Sequence, residues 1–254
     1  MFTKQGEYSP AGMYSVGHFI LLFIFLAIAI AIFFLLKNVK KEKVITTLKV
    51  ITIVITALEL FKIIWNIAMY GFTTAGLNHY LPLYYCSLYI YALWGISFGK
   101  NKVQRASFAW LLWGGGIAGL AFLSYPSSSL IYYPAFHFLS IYSIMFHTFL
   151  VLTVILIVYH KIYSFKKDDF IYYLAFSLVF MIPALILNKL LNINMMFLEF
   201  PIAINILNKI YELSVPLFQI FFFVFQLFVP YFVTLAVVQL KPLLVKRNNN
   251  DKLR

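Results

Sequence analysis

Cys86 is the single cysteine of a 254-residue chain that also carries five histidines. A thiol becomes a nucleophile when a base or a neighbouring cation draws off its proton, so the histidines are the residues to weigh beside it. His147 falls near the middle of a long apolar run, with Ser140 and Ser143 seven and four residues earlier on the same helical face. His137 stands at the entrance to that run and His160 just beyond it; His18 opens the first apolar run, and His79 lies shortly before Pro82. A second group, Glu59, Lys62 and Asn66, is spaced i, i+3 and i+7, which puts all three on one face of a helix.

Each of these residues has two readings. Cys86 is either a small packing residue or a nucleophile. His147 is either a hydrogen bond between helices or a general base. Glu59 and Lys62 form an ion pair that fixes helix packing, or they line a site. One cysteine allows no internal disulfide and no cysteine-based metal cluster. No His/Glu pair has the spacing with which one helix holds zinc, and there is no glycine-rich phosphate loop, so neither a metal nor a cofactor is expected. The run from Trp113 to Gly119 has four glycines inside an apolar stretch, where small residues let helices approach closely.

The elements that position these groups follow from hydropathy. Hydrophobic residues make up 63% of the chain and charged residues 11%, and the mean hydropathy is +0.90. A soluble domain could not cover such a surface, whereas lipid solvates it and forces the backbone into helices. A membrane crossing needs about 20 apolar residues. Runs at 18–36, 44–70, 81–98, 106–123, 136–159, 170–190 and 213–240 satisfy this, giving an all-α, polytopic membrane protein of seven spans in one domain. Pro82 is expected in the first turn of the third span, which puts Cys86 about one turn inside it. The 192–212 connection is the least regular and reads as a re-entrant or interfacial segment.

Charge orients the spans. Lys and Arg concentrate after the first, third, fifth and seventh spans, while 71–80 and 124–135 have none. The positive-inside rule then gives an outside N-terminus and a cytoplasmic C-terminus, with a basic tail at 246–254. The first run leads straight into a basic loop and reads as a retained helix rather than a cleaved signal. The net charge of +12 lies in these loops, a pattern that fits anionic lipid and not nucleic acid. Membrane lipids are therefore the expected partners and the cell membrane the expected location. The orientation also places His18, Glu59, Lys62, Asn66, Cys86, His137, His147 and Asn194 in the outer half or near the midplane.

Several segments, in order, resemble one family. They are His18, Leu81-Pro82-Leu83 with Cys86-Ser87, Gly114–Gly119 leading to Pro126, Phe136-His137-Phe138 with His147 ten residues on, and Asn194-Met195-Met196-Phe197-Leu198 before Pro201. The set resembles the bacterial YwaF-type integral membrane proteins, which are similar to the animal transmembrane-protein-164 acyltransferases. That resemblance implies a lipid acyltransferase acting through a cysteine acyl-enzyme, with Cys86 as nucleophile and His147 as base. His18, Glu59, Lys62, Asn66, His137 and Asn194 are then candidates for substrate binding. Bacterial relatives often have His two positions before the cysteine; this chain has Tyr84, which leaves the base role to His147. The competing expectations are a transporter or ligand-binding protein with a polar cavity, and a scaffold in which the polar residues only pack helices.

Overall fold

The computed structural model describes residues 2–126, 129–202 and 204–251, with side chains as far as residue 239. All regular structure among the described residues is helical. The order is α1 (Val16–Leu36), α2 (Lys41–Tyr70), a single turn α3 (Leu77–Tyr80), α4 (Leu88–Phe98), α5 (Asn101–Trp110), α6 (Gly116–Ser124), α7 (Phe138–Tyr159), α8 (Phe170–Leu191), α9 (Asn205–Leu213) and α10 (Val215–Asp251). A π-helical turn, Leu111–Gly115, joins α5 to α6 without a break. Six helical stretches are long and apolar enough to cross a membrane: α1, α2, Asn101–Ser124, α7, Lys167–Leu191 and Val215–Gln239. The side chains of the basic tail at 246–254 lie outside the described residues.

The third expected span, 81–98, is helical only from Leu88 to Phe98. Its 11 residues rise about 16 Å, roughly half of a hydrocarbon core of about 30 Å. Pro82 does not open a helix. A residue before proline is pushed out of the α region, and Leu81 is extended, with φ −90° and ψ 121°. The chain then makes tight turns through Tyr84 and Cys86 before α4 starts. Cys86 therefore stands ahead of a half-length helix instead of one turn inside a full one.

Glycines set the close approaches around this half-helix. A Cβ on Gly95 would collide with Ser107, so α4 and α5 touch backbone to side chain. In the π-helical turn, Gly114 leaves room for Tyr85 and Tyr173, whose hydroxyls are 2.9 Å apart. Gly119 lets α6 lie on α7 at Leu150 and Val151.

A connection that includes residues 192–202 joins α8 to α9. Met195, Met196 and Leu198 are buried. Asn188 donates to the Met195 carbonyl (2.9 Å) and accepts from its N–H (2.7 Å). Gln226 donates to the Met196 carbonyl at 2.7 Å. Gln226 lies 11 residues into α10, so this loop is about 16 Å from that helix's first residue.

On the opposite, lysine-bearing face, α8 is tied to α5. The fully buried Asp169 carboxylate accepts from Arg105 Nε and Nη2, each at 2.7 Å, and from the Tyr163 hydroxyl at 2.8 Å. Burial and the Asp169 carboxylate push the Tyr163 phenol up to about 12, so it stays a donor. The two partners are unequal, because the Arg105 side chain is 35% exposed. Losing Arg105 strands a buried charge, while losing Asp169 leaves a guanidinium that water can reach. We expect Arg105→Met to lower the thermal midpoint in detergent more than Asp169→Asn does. An Arg105→Met/Asp169→Leu double variant should recover most of the loss. Equal effects of the two single changes would contradict this.

Candidate functional site

Cys86 sits where the unwound 81–87 segment becomes α4. The amides that a helix start leaves without partners are closed by short turns: Ser87 N–H to Tyr84 O at 2.8 Å, Leu88 N–H to Tyr85 O at 3.3 Å and Tyr89 N–H to Cys86 O at 3.1 Å. The thiol is half-buried and points its S–H at the Ala118 carbonyl of α6, with Sγ 3.9 Å from the oxygen. Tyr89, one turn on, ties this end of α4 to α7. The Tyr89 hydroxyl meets Thr153 Oγ1 (2.7 Å) and the Phe149 carbonyl (3.2 Å) of α7.

His147 is 7% exposed and its tautomer follows from its contacts. Nδ1 lies 2.7 Å from the Ser143 carbonyl, which can only accept, so Nδ1 carries the hydrogen. The neutral imidazole then presents Nε2 as a lone pair, and Nε2 is buried without a hydrogen-bond partner. The ring stacks flat on Phe122, with centroids 3.6 Å apart and planes at 10°. Ala118 and Phe122 are four residues apart on one face of α6, so the thiol and the imidazole border the same short helix. No hydrogen bond joins them. The contact between α6 and α7 beside His147 depends on Gly119, where a Cβ would also crowd the His147 carbonyl.

The other candidates fall into separate groups. Glu59 and Lys62 pair at 2.5 Å, and the Tyr142 hydroxyl donates to the second Glu59 oxygen, also at 2.5 Å. Asn66 donates to the Lys62 carbonyl of its own helix at 2.9 Å. This cluster lies between α2 and α7. Tyr142, five residues before His147, points around α7 away from it. Only the Lys62 end is partly open, at 20% exposure of its side chain.

Asn194 spends its amide within the connection that follows α8. Its Oδ1 accepts from Glu199 and Phe200 N–H, and its Nδ2 donates to the Phe200 carbonyl. His18 is buried between α1 and α6, with Nδ1 accepting from the Tyr14 N–H at 3.2 Å. His137 caps α7: Nδ1 accepts from the Leu139 N–H at 3.2 Å, so Nε2 carries the hydrogen and donates to the Thr3 carbonyl at 3.0 Å. Both nitrogens of His137 are engaged, and the segment 2–12 covers it.

Sequence reasoning passed over several of these partners. Tyr142, Tyr89 and Tyr173 were hidden among 18 tyrosines. Asn188 and Gln226 carried a readable signal, since an amide inside an apolar run needs a partner.

Residues 13–237 match the TMEM164 family, and the chain belongs to it. No curated protein and no solved structure matches the chain.

The His137 cap has a pH signature. Burial, which penalises the charged ring, holds this imidazole below its ordinary value of 6.5, and protonating Nδ1 would also end its acceptance from Leu139. The folded state then binds this proton later than the unfolded chain does. Its contribution is complete above about pH 6.5 and is lost as the pH falls through the lowered folded value. Replacing His137 by Asn, which caps without titrating, should flatten the thermal midpoint between about pH 7 and 5 relative to wild type. An unchanged profile would remove His137 from that dependence.

Proposed function

We propose that this member of the TMEM164 family, placed in its bacterial YwaF-type branch, is a lipid acyltransferase that works through a Cys86 thioester. The observation that carries the reading is His147: its tautomer is fixed by Ser143, and its Nε2 lone pair is buried, unpartnered and beside the same helix as the thiol. A buried acceptor without a partner is costly as a packing feature. As a base waiting for a proton it has a use. The similarity to the animal transmembrane-protein-164 acyltransferases supports the same assignment.

In this reading the thiol swings off the Ala118 carbonyl and gives its proton to His147 Nε2. The thiolate attacks the carbonyl carbon of a phospholipid ester, and the bond from that carbon to the glycerol oxygen breaks. His147 returns the proton to the departing oxygen, leaving a lysophospholipid and an acyl-cysteine. An acceptor hydroxyl or amine then attacks the thioester; His147 takes its proton and delivers it to the sulfur. Lys62, the partly open end of the Glu59–Tyr142 cluster, lies away from the thiol and is the cation that would meet a lipid phosphate, with Asn66 one turn on. His137 and Asn194 serve by holding the 2–12 segment and the re-entrant loop in place.

The same proposal has the chain cross the cell membrane seven times, counting the broken 81–98 segment as one crossing, with the N-terminus outside and the C-terminus in the cytoplasm. The charge distribution supports it, and so does the half-helix completed by non-helical chain at depth. In a Cys86→Ala background, a cysteine at position 6 should react with an impermeant maleimide on intact cells, and one at position 102 only after lysis. The reverse pattern would invert the topology.

The chemistry is tested on protein reconstituted with natural phospholipids. Wild type should accumulate an acyl adduct at Cys86 that hydroxylamine removes, and Cys86→Ser should form none that is hydroxylamine-labile. His147→Gln should slow acylation by about 10²- to 10⁴-fold, the usual span for losing a general base. A wild-type protein that never carries the adduct, whatever lipid is supplied, would sink the reading.

A further inference from the structure

The groove between α1 and α6 holds a pocket of about 320 Å³ lined by Tyr14, His18, Phe19, Leu22, Leu26, Leu120, Leu123 and Ser124. That volume is at the small end of ligand sites and suits a length of chain, not a whole lipid. Its polarity is graded along the helices. On α1, His18, Leu22 and Leu26 are successive i+4 positions on one stripe. On α6, Leu120 and Ser124 are related in the same way. The two helices run antiparallel, and the Tyr14 hydroxyl donates to the Ser124 carbonyl at 3.0 Å, so the polar members of both stripes meet at one end. Leu26 lies about 12 Å further along α1, towards the middle of the bilayer.

The polar end is built. His18 is 1% exposed. Its Nδ1 accepts from Tyr14 N–H, which assigns the hydrogen to Nε2, and that N–H is buried with no hydrogen-bond partner. The Leu123 carbonyl is close enough to act on the ring but does not meet hydrogen-bond geometry. Tyr14 holds a left-handed φ of 60° to aim its N–H at the imidazole, a strain that persists only where the surroundings fix it. Behind His18, a Cβ on Gly17 would collide with Ala135, so the first turn of α1 cannot slide. Phe19, Leu26 and Leu120 are exposed, and the pocket opens sideways to lipid.

We propose that this pocket is a lateral binding site for one acyl chain of a glycerolipid, whose ester carbonyl accepts the His18 Nε2–H while the chain runs over Leu22, Leu26 and Leu120. A glycerolipid has its carbonyl at the membrane interface and its chain directed inward, the same order in which the pocket presents a lone donor and then only apolar side chains. The site stands on this geometry alone and does not require Cys86 to form an acyl-enzyme.

The test uses the full-length protein in nanodiscs containing phosphatidylcholine with a diazirine in one acyl chain. Photolysis followed by peptide mapping should concentrate adducts on the 18–26 and 120–124 segments. His18→Ala should reduce them by roughly five- to tenfold, the effect of one lost hydrogen bond to a buried donor, and His18→Gln should restore most of the labelling. Leu120→Trp, which fills the pocket from α6 without touching His18, should also suppress labelling and decides the matter if His18→Ala fails to fold. A diazirine fatty acid should compete poorly, because its carboxylate lacks the ester's position. Adducts spread evenly over exposed residues such as Val50 and Ile53 of α2, or labelling indifferent to both His18→Ala and Leu120→Trp, would overturn the site. Labelling by the fatty acid alone would overturn the glycerolipid assignment.

Discussion

The two hydrogen bonds between the Asn188 amide and the backbone of Met195 are the contact on which much of this bundle depends. A hydrocarbon interior offers no water to a non-helical amide, so chain that leaves helical geometry at depth must find every partner within the protein. Residues 192–200 do leave it, with Met196 and Phe197 both at left-handed φ values near 55°. Asn188 closes the loop from α8, Gln226 from α10 and Asn194 from within. Asn78 reaches it from α3 by accepting the Asn194 N–H at 2.9 Å. Side-chain amides suit this work because each offers donors and an acceptor together.

That loop in turn supports the second irregular segment. Phe197 lies against Tyr84, with ring centroids 5.0 Å apart, and Tyr84 is two residues from Cys86. The turns at 84–90 satisfy their own amides by i→i+3 bonds, and the space beside them is filled by Tyr85, which bonds to Tyr173 across the glycine of the π-helical turn. Three departures from regular helix thus lean on one another around the thiol. π-Helical turns within α-helices are often found at functional sites. Here the extra residue turns Gly114 towards the Tyr85–Tyr173 pair and still lets α6 present Ala118 to Cys86.

Much of the fold was legible in the sequence because hydropathy and charge report directly on the solvent. The long runs became long helices, and the Glu59–Lys62 spacing became an ion pair. The glycines of the Trp113–Gly119 run became close contacts. What the sequence hid has a physical reason in each case. The run at 81–98 is apolar throughout, and hydropathy does not distinguish helix from buried turn; only Pro82 hints at the break, and a proline suits a first helical turn equally well. The depth argument put eight polar residues in one zone, but depth says nothing about azimuth. His137 and Asn194 turn out to be committed to capping and loop closure, and Tyr142 draws Glu59 to the far side of α7 from His147. The tautomers of His18, His137 and His147 could not be read at all, since each is decided by which backbone group happens to face Nδ1.

Those tautomers separate the three histidines by what they can still do. His137 accepts at Nδ1 and donates at Nε2, and both bonds are made within the protein. His18 has the same tautomer with the donor left over, so it can hold an acceptor such as a carbonyl but cannot take a proton from a thiol without giving up its own arrangement. His147 has the opposite tautomer with the lone pair left over. It can take a proton, and its ring lies on Phe122 of α6, the helix whose Ala118 carbonyl meets the Cys86 thiol. The Ser143 carbonyl, by holding Nδ1–H, would also stabilise the imidazolium once Nε2 is protonated, since the bond to a cationic donor is the stronger one. A histidine kept only for packing would gain nothing from an unpartnered Nε2, whereas a base needs that position empty until its proton arrives.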